Sequence, residues 1–92
     1  MRILSDSKPD TVAKNIREIR EFRKYTQTYL AEKLGISQNA YSKIELAYSK
    51  ITIERLLDIS AVLGVELSIL LCFNRKEFLR FLDEEENKLN KK

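Results

Sequence analysis

The 92-residue sequence contains no histidine, no tryptophan and a single cysteine, Cys72. The lack of histidine removes the commonest general base, and one cysteine without a histidine partner argues against a thiol nucleophile. The chain has no cysteine–histidine cluster that could bind zinc and no glycine-rich phosphate loop. The sequence therefore predicts a protein that is not an enzyme, with no catalytic residue, no metal site and no cofactor.

Glycine and proline are also scarce, with two glycines and one proline in the chain. Sandwiches and barrels need many tight turns, so this composition predicts a mostly helical fold. No apolar run approaches the roughly 18 residues of a membrane span, and the N-terminal MRILSDSKPD lacks the apolar stretch of a secretion signal. We therefore expect a cytoplasmic protein with no membrane partner, in which Cys72 is buried in the apolar run SILLCF.

Apolar residues recur at spacings of three and four along six segments, which is the pattern of amphipathic helices. The apolar faces of these segments are, in order, Val12, Ile16, Ile19 and Phe22 or Arg23; Leu30, Ala31, Leu34; Tyr41, Ile44; Leu56, Leu57, Ile59 or Ser60, Leu63; Leu67, Leu70, Leu71; and Phe78, Leu79, Leu82, Leu89.

The stretch TQTYLAEKLGISQNAYSKIE places two short helices on either side of one glycine, Gly35. Thr26 is the predicted cap of the first helix and Ser37 that of the second, while Gly35 occupies a position that favours left-handed backbone. Helices joined by so short a turn must cross steeply, as in a helix-turn-helix. The second helix opens with Gln38 and Asn39, whose side chains can bind adenine bidentately.

Charge is concentrated in the same part of the chain. The net charge is +3 overall, and residues 23–50, with five basic and two acidic side chains, carry +3 by themselves. A short basic segment suits contact with phosphate groups, because neutralised phosphates release counterions. A solvated helix surface is the alternative that charge alone leaves open.

Residues 16–71 resemble the phage-repressor type of helix-turn-helix family, also called XRE-like or lambda-repressor-like. The resemblance is carried by TQ-x-x-LA-x-x-LGIS, by S-K-I-E and by LGV before the fifth helix. It implies a compact five-helix DNA-binding domain. Together with the composition and the apolar pattern, this predicts an all-α fold with that domain over residues 8–73, an N-terminal tail over 1–7 and an amphipathic helical extension over 74–92. The resemblance further implies a transcriptional regulator that binds palindromic operators in double-stranded DNA as a homodimer.

The resemblance also implies roles for individual residues. A structural ion pair is expected between Arg20 and Glu45, which would leave the DNA-facing surface positive. Tyr48 either reaches a phosphate through its hydroxyl or is an ordinary surface residue. The expected contacts are Gln38, Asn39, Ser42 and Lys43 with bases, and Gln27, Ser37, Tyr48, Ser49 and Lys50 with phosphates.

Three residues depart from the family pattern. Ala47 stands where glycine is common, so either the third helix runs longer or Ala47 adopts an unfavourable backbone angle costing about 1 kcal/mol. Tyr29 replaces an acid that would complete a capping box, and Glu66 replaces a small capping residue. These departures affect loop detail and leave the predicted fold unchanged.

The C-terminal segment carries more large apolar residues than a solvated tail of its length needs. Phe78, Leu82 and Leu89 lie on one helical stripe, which we expect to form a dimer interface. The alternative is that this helix folds back on its own domain. Two functional classes remain: a DNA-binding regulator, favoured by the basic segment and the amide-rich helix, and a protein-interaction adaptor or antitoxin-type component whose partner, such as a toxin, is a protein.

Overall fold

The computed structural model describes residues 9–72 and 75–90, so the predicted tail over residues 1–7 lies outside the described part of the chain. No residue in these two ranges is in a strand, and the all-α prediction is confirmed. The helices are α1 (Pro9–Phe22), α2 (Gln27–Leu34), α3 (Gln38–Glu45), α4 (Ile53–Leu63), α5 (Leu67–Leu71) and α6 (Arg75–Asn90).

The core forms around α1, which packs against α3, α4 and α5. The apolar stripe of α1, with residues at spacings of three and four, is buried in the core, since Ile16 and Ile19 have no exposed surface. Both candidates for the middle of the α4 stripe are buried, because Ile59 faces the core and Ser60 bonds to the Leu57 carbonyl within the same helix. The buried apolar residues are Val12, Ala13, Ile16, Ile19, Leu30, Ala31, Tyr41, Ile44, Leu56, Ile59, Leu63, Val65 and Leu70.

Side-chain caps begin three of the helices, and two of these caps, Thr26 and Ser37, are the ones that the sequence predicts. The side chains of Thr26, Ser37 and Thr52 each accept a hydrogen bond from a backbone N–H three residues later, at 3.0 Å. These bonds satisfy donors that a helix leaves unpaired in its first turn. Glu66 precedes α5 without a side-chain cap bond, in keeping with its departure from the family pattern.

Helices α1 to α4 all end in the same way, with one residue in the left-handed region. Gly35 and Gly64 fill this position after α2 and α4, whereas Lys24 and Ala47 fill it after α1 and α3, with φ angles of 62° and 60°. At Ala47 the next N–H, of Tyr48, bonds to the Lys43 carbonyl at 2.9 Å, which closes a Schellman motif. Helix α3 therefore ends at Glu45 and does not run longer. Of the two alternatives predicted for Ala47, the structure has the unfavourable backbone angle.

Cys72 is exposed, so the prediction that it is buried was wrong. The last turn of α5 buries Leu70, whose carbonyl accepts a hydrogen bond from Asn15 Nδ2 of α1 at 2.8 Å. Because α5 ends at Leu71, Cys72 lies beyond the helix and outside its buried face. An apolar run can therefore be half exposed when a helix in it is only five residues long.

Helix α6 contacts the rest of the domain through Leu82 and Glu85. Leu82 is half-buried and packs against the core, and Glu85 forms an ion pair with Arg23 at 3.2 Å. Arg23, just after α1, also donates from Nε to the Leu63 carbonyl at 2.9 Å and so links the end of α4 to the interior of α6. Within the described residues no helix has the length and apolar character needed to cross a membrane.

Candidate nucleic-acid interface

Helix α3 has one buried face and one face open to solvent. Tyr41 and Ile44 point into the core with 0% and 6% of their surface exposed. Three of the four residues expected to contact bases, Gln38, Asn39 and Lys43, are exposed. Ser42, the fourth, is half-buried. The open face of α3 therefore consists of amide, hydroxyl and ammonium groups that are available to a partner.

The turn between α2 and α3 sets the direction in which this face points. Gly35 adopts φ 72°, and the N–H of Ile36 bonds back to the Ala31 carbonyl at 3.0 Å, so the chain reverses within three residues. Ala31 is 2% exposed, and its small side chain lets the two helices approach closely. Ile36 is half-buried and packs with the core from the turn itself. The two helices are thus joined by the short glycine turn that the sequence predicts.

Thr28 and Gln38 are linked by a hydrogen bond that sequence reasoning missed. The Thr28 hydroxyl lies 3.2 Å from Gln38 Oε1 and joins the first turn of α2 to the first turn of α3. The only hint of this contact in the sequence is the hydroxyl residue at the second position of α2, beside Gln27 in the TQT triplet. Spacing alone cannot show that the two side chains meet, because that depends on the crossing of the helices.

Glu45, at the end of α3, accepts hydrogen bonds from three side chains on three helices. Arg20 of α1 donates from Nε to Oε2 at 2.6 Å and from Nη2 to Oε1 at 3.2 Å. Gln27 of α2 donates from Nε2 to Oε1 at 3.1 Å, and the hydroxyl of Tyr41 donates to Oε2. Arg20 also donates from Nη1 to the Tyr25 carbonyl at 2.8 Å. The expected Arg20–Glu45 pair is thus the centre of a larger network.

The network has defined electrostatic consequences. The hydrogen bond to Glu45 raises the pKa of Arg20, outweighing the opposing effect of burial, so the guanidinium stays charged. Burial raises the pKa of Tyr41 and the hydrogen bond to Glu45 raises it further, so this phenol stays neutral and donates. The Glu45 side chain is only 2% exposed and is neutralised by Arg20. An acid therefore lies at the end of α3 without adding free negative charge to its open face.

The residues expected to contact phosphates lie at the start of α2, at the start of α3 and in the segment between α3 and α4. Tyr48, Ser49 and Lys50 are exposed, with Tyr48 at 76%. The Ser37 hydroxyl is engaged as the cap of α3, and Gln27 is half-buried with its amide on Glu45. Ser37 and Gln27 thus already have structural partners, whereas the other three residues are open to solvent.

The three residues expected at a dimer interface are described only in part. Leu82 is half-buried against the core of its own domain. The side chains of Phe78 and Leu89 lie outside the described residues. Among the described side chains of α6, Leu79 is the large apolar residue that is exposed, with 47% of its surface open. Within the described ranges no group of three or more Asp, Glu, Cys or His side chains could hold a metal ion.

Comparison with known proteins assigns this geometry to a family. The family model described as "Helix-turn-helix" matches residues 16–70, a span that contains α2, α3, the turn between them and most of the core. The chain belongs to the helix-turn-helix family. The XRE-like, phage-repressor type proposed from the sequence is confirmed, as is the lambda-repressor-like fold.

A curated relative supports the same assignment. Over 78 residues the chain is 36% identical to the uncharacterized HTH-type transcriptional regulator YqaE of Bacillus subtilis (strain 168). The alignment covers 85% of this chain and 66% of the relative, so it spans just under two thirds of that protein. No solved structure shows a significant match. The family is one of DNA-binding transcriptional regulators.

Proposed function

We propose that this protein regulates transcription by binding a specific palindromic site in double-stranded DNA as a homodimer. The observation that carries the proposal is the open face of α3, where Gln38, Asn39 and Lys43 are exposed on a helix whose other face is buried. In a helix-turn-helix the second helix enters the major groove and its first residues contact base edges. Glutamine and asparagine amides suit adenine there, and lysine suits guanine.

Electrostatics favour this assignment over a neutral surface. Lys43 and Lys50 are exposed on and just after α3, while Glu45, the acid in that region, is paired with Arg20 at 2.6 Å. The basic segment therefore keeps its positive charge toward solvent, as contact with phosphates requires. Glu32 is exposed on α2 and is the remaining acid of the segment.

Phosphate contacts are proposed on both sides of α3. Gln27 bonds to Glu45 through one N–H of its amide, and an amide nitrogen has a second N–H that can donate to a phosphate. Ser37 sits at the start of α3, where backbone N–H groups favour an anion. Tyr48, Ser49 and Lys50 form an exposed segment that can follow the DNA backbone beyond the end of α3.

The same docking geometry suits a homodimer. Two copies related by two-fold symmetry place their α3 helices about 34 Å apart, one turn of DNA, and so require a palindromic site. We propose residues 74–92 as the dimerisation segment, with Leu82 holding α6 to its own domain and Leu79, exposed beside it, available to the second copy. Phe78 and Leu89 share the predicted stripe with Leu82.

Selection of bound duplexes from a random pool, followed by titration of variants, tests the proposal. Gln38→Ala and Asn39→Ala should each lower affinity for the selected site by about 1–3 kcal/mol and leave non-specific binding nearly unchanged. Lys50→Ala should weaken binding to all sequences and flatten the log–log salt dependence by about one unit. A Gln38→Ala variant that binds the selected site like the wild type would show that α3 does not read bases.

One observation favours a second candidate function, that of a protein-interaction adaptor or antitoxin-type component with a partner such as a toxin. Leu46, Ile53 and Leu57 are each more than half exposed, and Ile53 lines an apolar groove of about 630 Å³ between α1, α4, α5 and the segment before α4. An adaptor without DNA contact should show no salt-dependent binding to any duplex. The same titration therefore separates the two functions.

A further inference from the structure

Thr28 and Gln38 meet across the turn between α2 and α3. Thr28 is the second residue of α2 and Gln38 the first residue of α3, and the Thr28 hydroxyl donates to Gln38 Oε1 at 3.2 Å. Both residues are exposed, so the contact lies on the surface proposed to face DNA. The proposed function assigns base reading to Gln38. It gives no role to Thr28, although the Thr28 hydroxyl bonds to Gln38.

We propose that Thr28 is a positioning residue for base recognition, whose hydroxyl holds the Gln38 amide in the orientation that reads adenine. The inference rests on the proposed function, because it requires α3 to contact base edges. It goes beyond that function by assigning part of the specificity to a residue of α2.

The chemistry of the amide explains why positioning matters. One end of the Gln38 amide is an oxygen that accepts two hydrogen bonds, and the other is a nitrogen that donates two. Adenine offers a donor at N6 and an acceptor at N7, so the amide must present its oxygen and nitrogen in one order only. A freely rotating amide would present both orders. Donation by Thr28 selects the oxygen end and uses one of its two lone pairs, which leaves the other for adenine N6.

The surrounding contacts leave the Gln38 amide available for base reading. The neighbouring amide of α2, on Gln27, donates to Glu45 at 3.1 Å and is engaged there. The Gln38 oxygen, by contrast, is held by a neutral hydroxyl. A bond between neutral groups at the surface is weak in water and becomes stronger when a bound duplex excludes solvent.

Two substitutions of Thr28 isolate the hydroxyl. Thr28→Val keeps the shape of the side chain and removes the donor, whereas Thr28→Ser keeps the donor. Affinity is measured for the selected site and for the same duplex with the base pair read by Gln38 changed. Thr28→Val should reduce discrimination between the two duplexes about three- to ten-fold. Thr28→Ser should retain it, and the thermal melts of both variants should stay close to that of the wild type.

A double-mutant comparison distinguishes positioning from direct DNA contact. In a Gln38→Ala background, Thr28→Val should have no further effect on discrimination, because the group it positions is gone. The opposite outcome is that Thr28→Val weakens binding to every duplex equally, with the same loss of affinity in the Gln38→Ala background. In that case Thr28 contacts phosphate and the inference is overturned. A wild-type chain that selects no site defeats the proposed function and this inference together. A chain whose selected site depends on Gln38 but not on Thr28 defeats this inference alone.

Discussion

At the scale of single residues, Glu45 is held by side chains from three helices. It is 2% exposed and accepts hydrogen bonds from Arg20, Gln27 and Tyr41, so both carboxylate oxygens are occupied. A buried carboxylate is tolerated only when it is paired and fully bonded, and removing one partner leaves an uncompensated charge. The network joins α1, α2 and α3, so its loss should affect the position of α3 as well as stability.

Glu45→Gln should therefore lower the free energy of unfolding by about 3 kcal/mol, because it leaves the Arg20 guanidinium, 11% exposed, without its counter-charge. Urea unfolding at fixed protein concentration measures the change. Glu21→Gln is the matched control: Glu21 lies 3.9 Å from the same guanidinium but is 61% exposed, so its loss should cost less than about 1 kcal/mol. Overlapping unfolding curves for Glu45→Gln and the wild type would contradict the proposed role of the pair.

The raised pKa of Tyr41 predicts a change of stability at alkaline pH. Because the folded state keeps this phenol protonated beyond its ordinary pKa of about 10, its contribution is complete below that pH and is lost as the pH rises above it. Tyr41→Phe should be less stable than the wild type by about 1 kcal/mol near neutral pH, through loss of the bond to Glu45. The difference should shrink as the pH approaches about 11, since phenylalanine cannot ionise.

Thermal melts between pH 7 and 11 test this prediction. Groups that titrate in both proteins cancel in the comparison, so the difference reports Tyr41. Tyr48→Phe serves as the control, because it removes a hydroxyl from a residue that is 76% exposed and should follow the wild type throughout. A difference between Tyr41→Phe and the wild type that is the same at every pH would show that Tyr41 does not titrate differently on folding.

At the scale of helices, four consecutive helix ends use one backbone conformation with different residues. Gly35 and Gly64 adopt left-handed angles at no steric cost, while Lys24 and Ala47 adopt them with a Cβ atom present. The strain at Ala47 is of particular interest because this residue joins α3 to the exposed segment with Tyr48, Ser49 and Lys50. The Schellman bonds hold the turn in place despite the strain.

Reciprocal substitutions at two of these ends should have opposite effects. Ala47→Gly should raise the free energy of unfolding by up to about 1 kcal/mol by relieving the left-handed strain, and Gly35→Ala should lower it by about 1 kcal/mol. An added Cβ at Gly35 meets nothing within 4 Å, so that cost is one of backbone angle and not of collision. Ala61→Gly, at an exposed position within α4, is the control and should be destabilising by roughly 0.5–1 kcal/mol.

Chemical denaturation of the three variants at one protein concentration provides the measurement. The informative result is the sign: the same alanine-to-glycine change should stabilise at position 47 and destabilise at position 61. If Ala47→Gly destabilises to the same extent as Ala61→Gly, then the turn after α3 does not hold a left-handed residue in solution.

At the scale of the whole molecule, α6 has both an inward and an outward contact surface. Leu82 packs on the core and Glu85 pairs with Arg23 at 3.2 Å, so the helix is attached to its own domain. Leu79 remains 47% exposed on the same helix. Folding back and dimerisation are therefore compatible, since different residues of α6 can serve each.

We expect the intact chain to be a dimer by light scattering at micromolar concentration, and truncation after Asn74 to yield a monomer. Truncation also removes Leu82 and Glu85, so a point variant is needed to separate assembly from folding. Leu79→Glu should produce a monomer with little change in the thermal melt, because a charge is costly only in an apolar interface. Asn87→Glu places the same charge at another exposed position of α6 and should stay dimeric.

Two outcomes would change the assignment of the interface. A truncated chain that remains dimeric moves the interface to another exposed apolar surface, such as that around Ile53 and Leu57 on α4. An intact chain that is monomeric at micromolar concentration removes the homodimer, and with it the requirement for a palindromic site.

Sequence alone determined the features of this protein that depend on neighbouring residues. Thr26, Ser37 and Thr52 begin helices because their side chains cap backbone groups three residues away, and Gly35 ends one because its backbone adopts φ 72° without strain. The apolar periodicity identified most of the core for a similar reason, since helical spacing decides which residues share a face, although Leu57 of the predicted α4 face is 51% exposed. The helix-turn-helix and its exposed polar face could be predicted at this level.

Only the tertiary structure decided which distant groups meet. The Arg20–Glu45 pair was expected through the family resemblance, but the donation by Tyr41 depends on how far its ring enters the core, and the Thr28–Gln38 bond depends on the crossing of two helices. The exposure of Cys72 likewise depends on where α5 ends. Such contacts join residues separated in sequence, and their distances are set by the packing of whole helices, which no local pattern specifies.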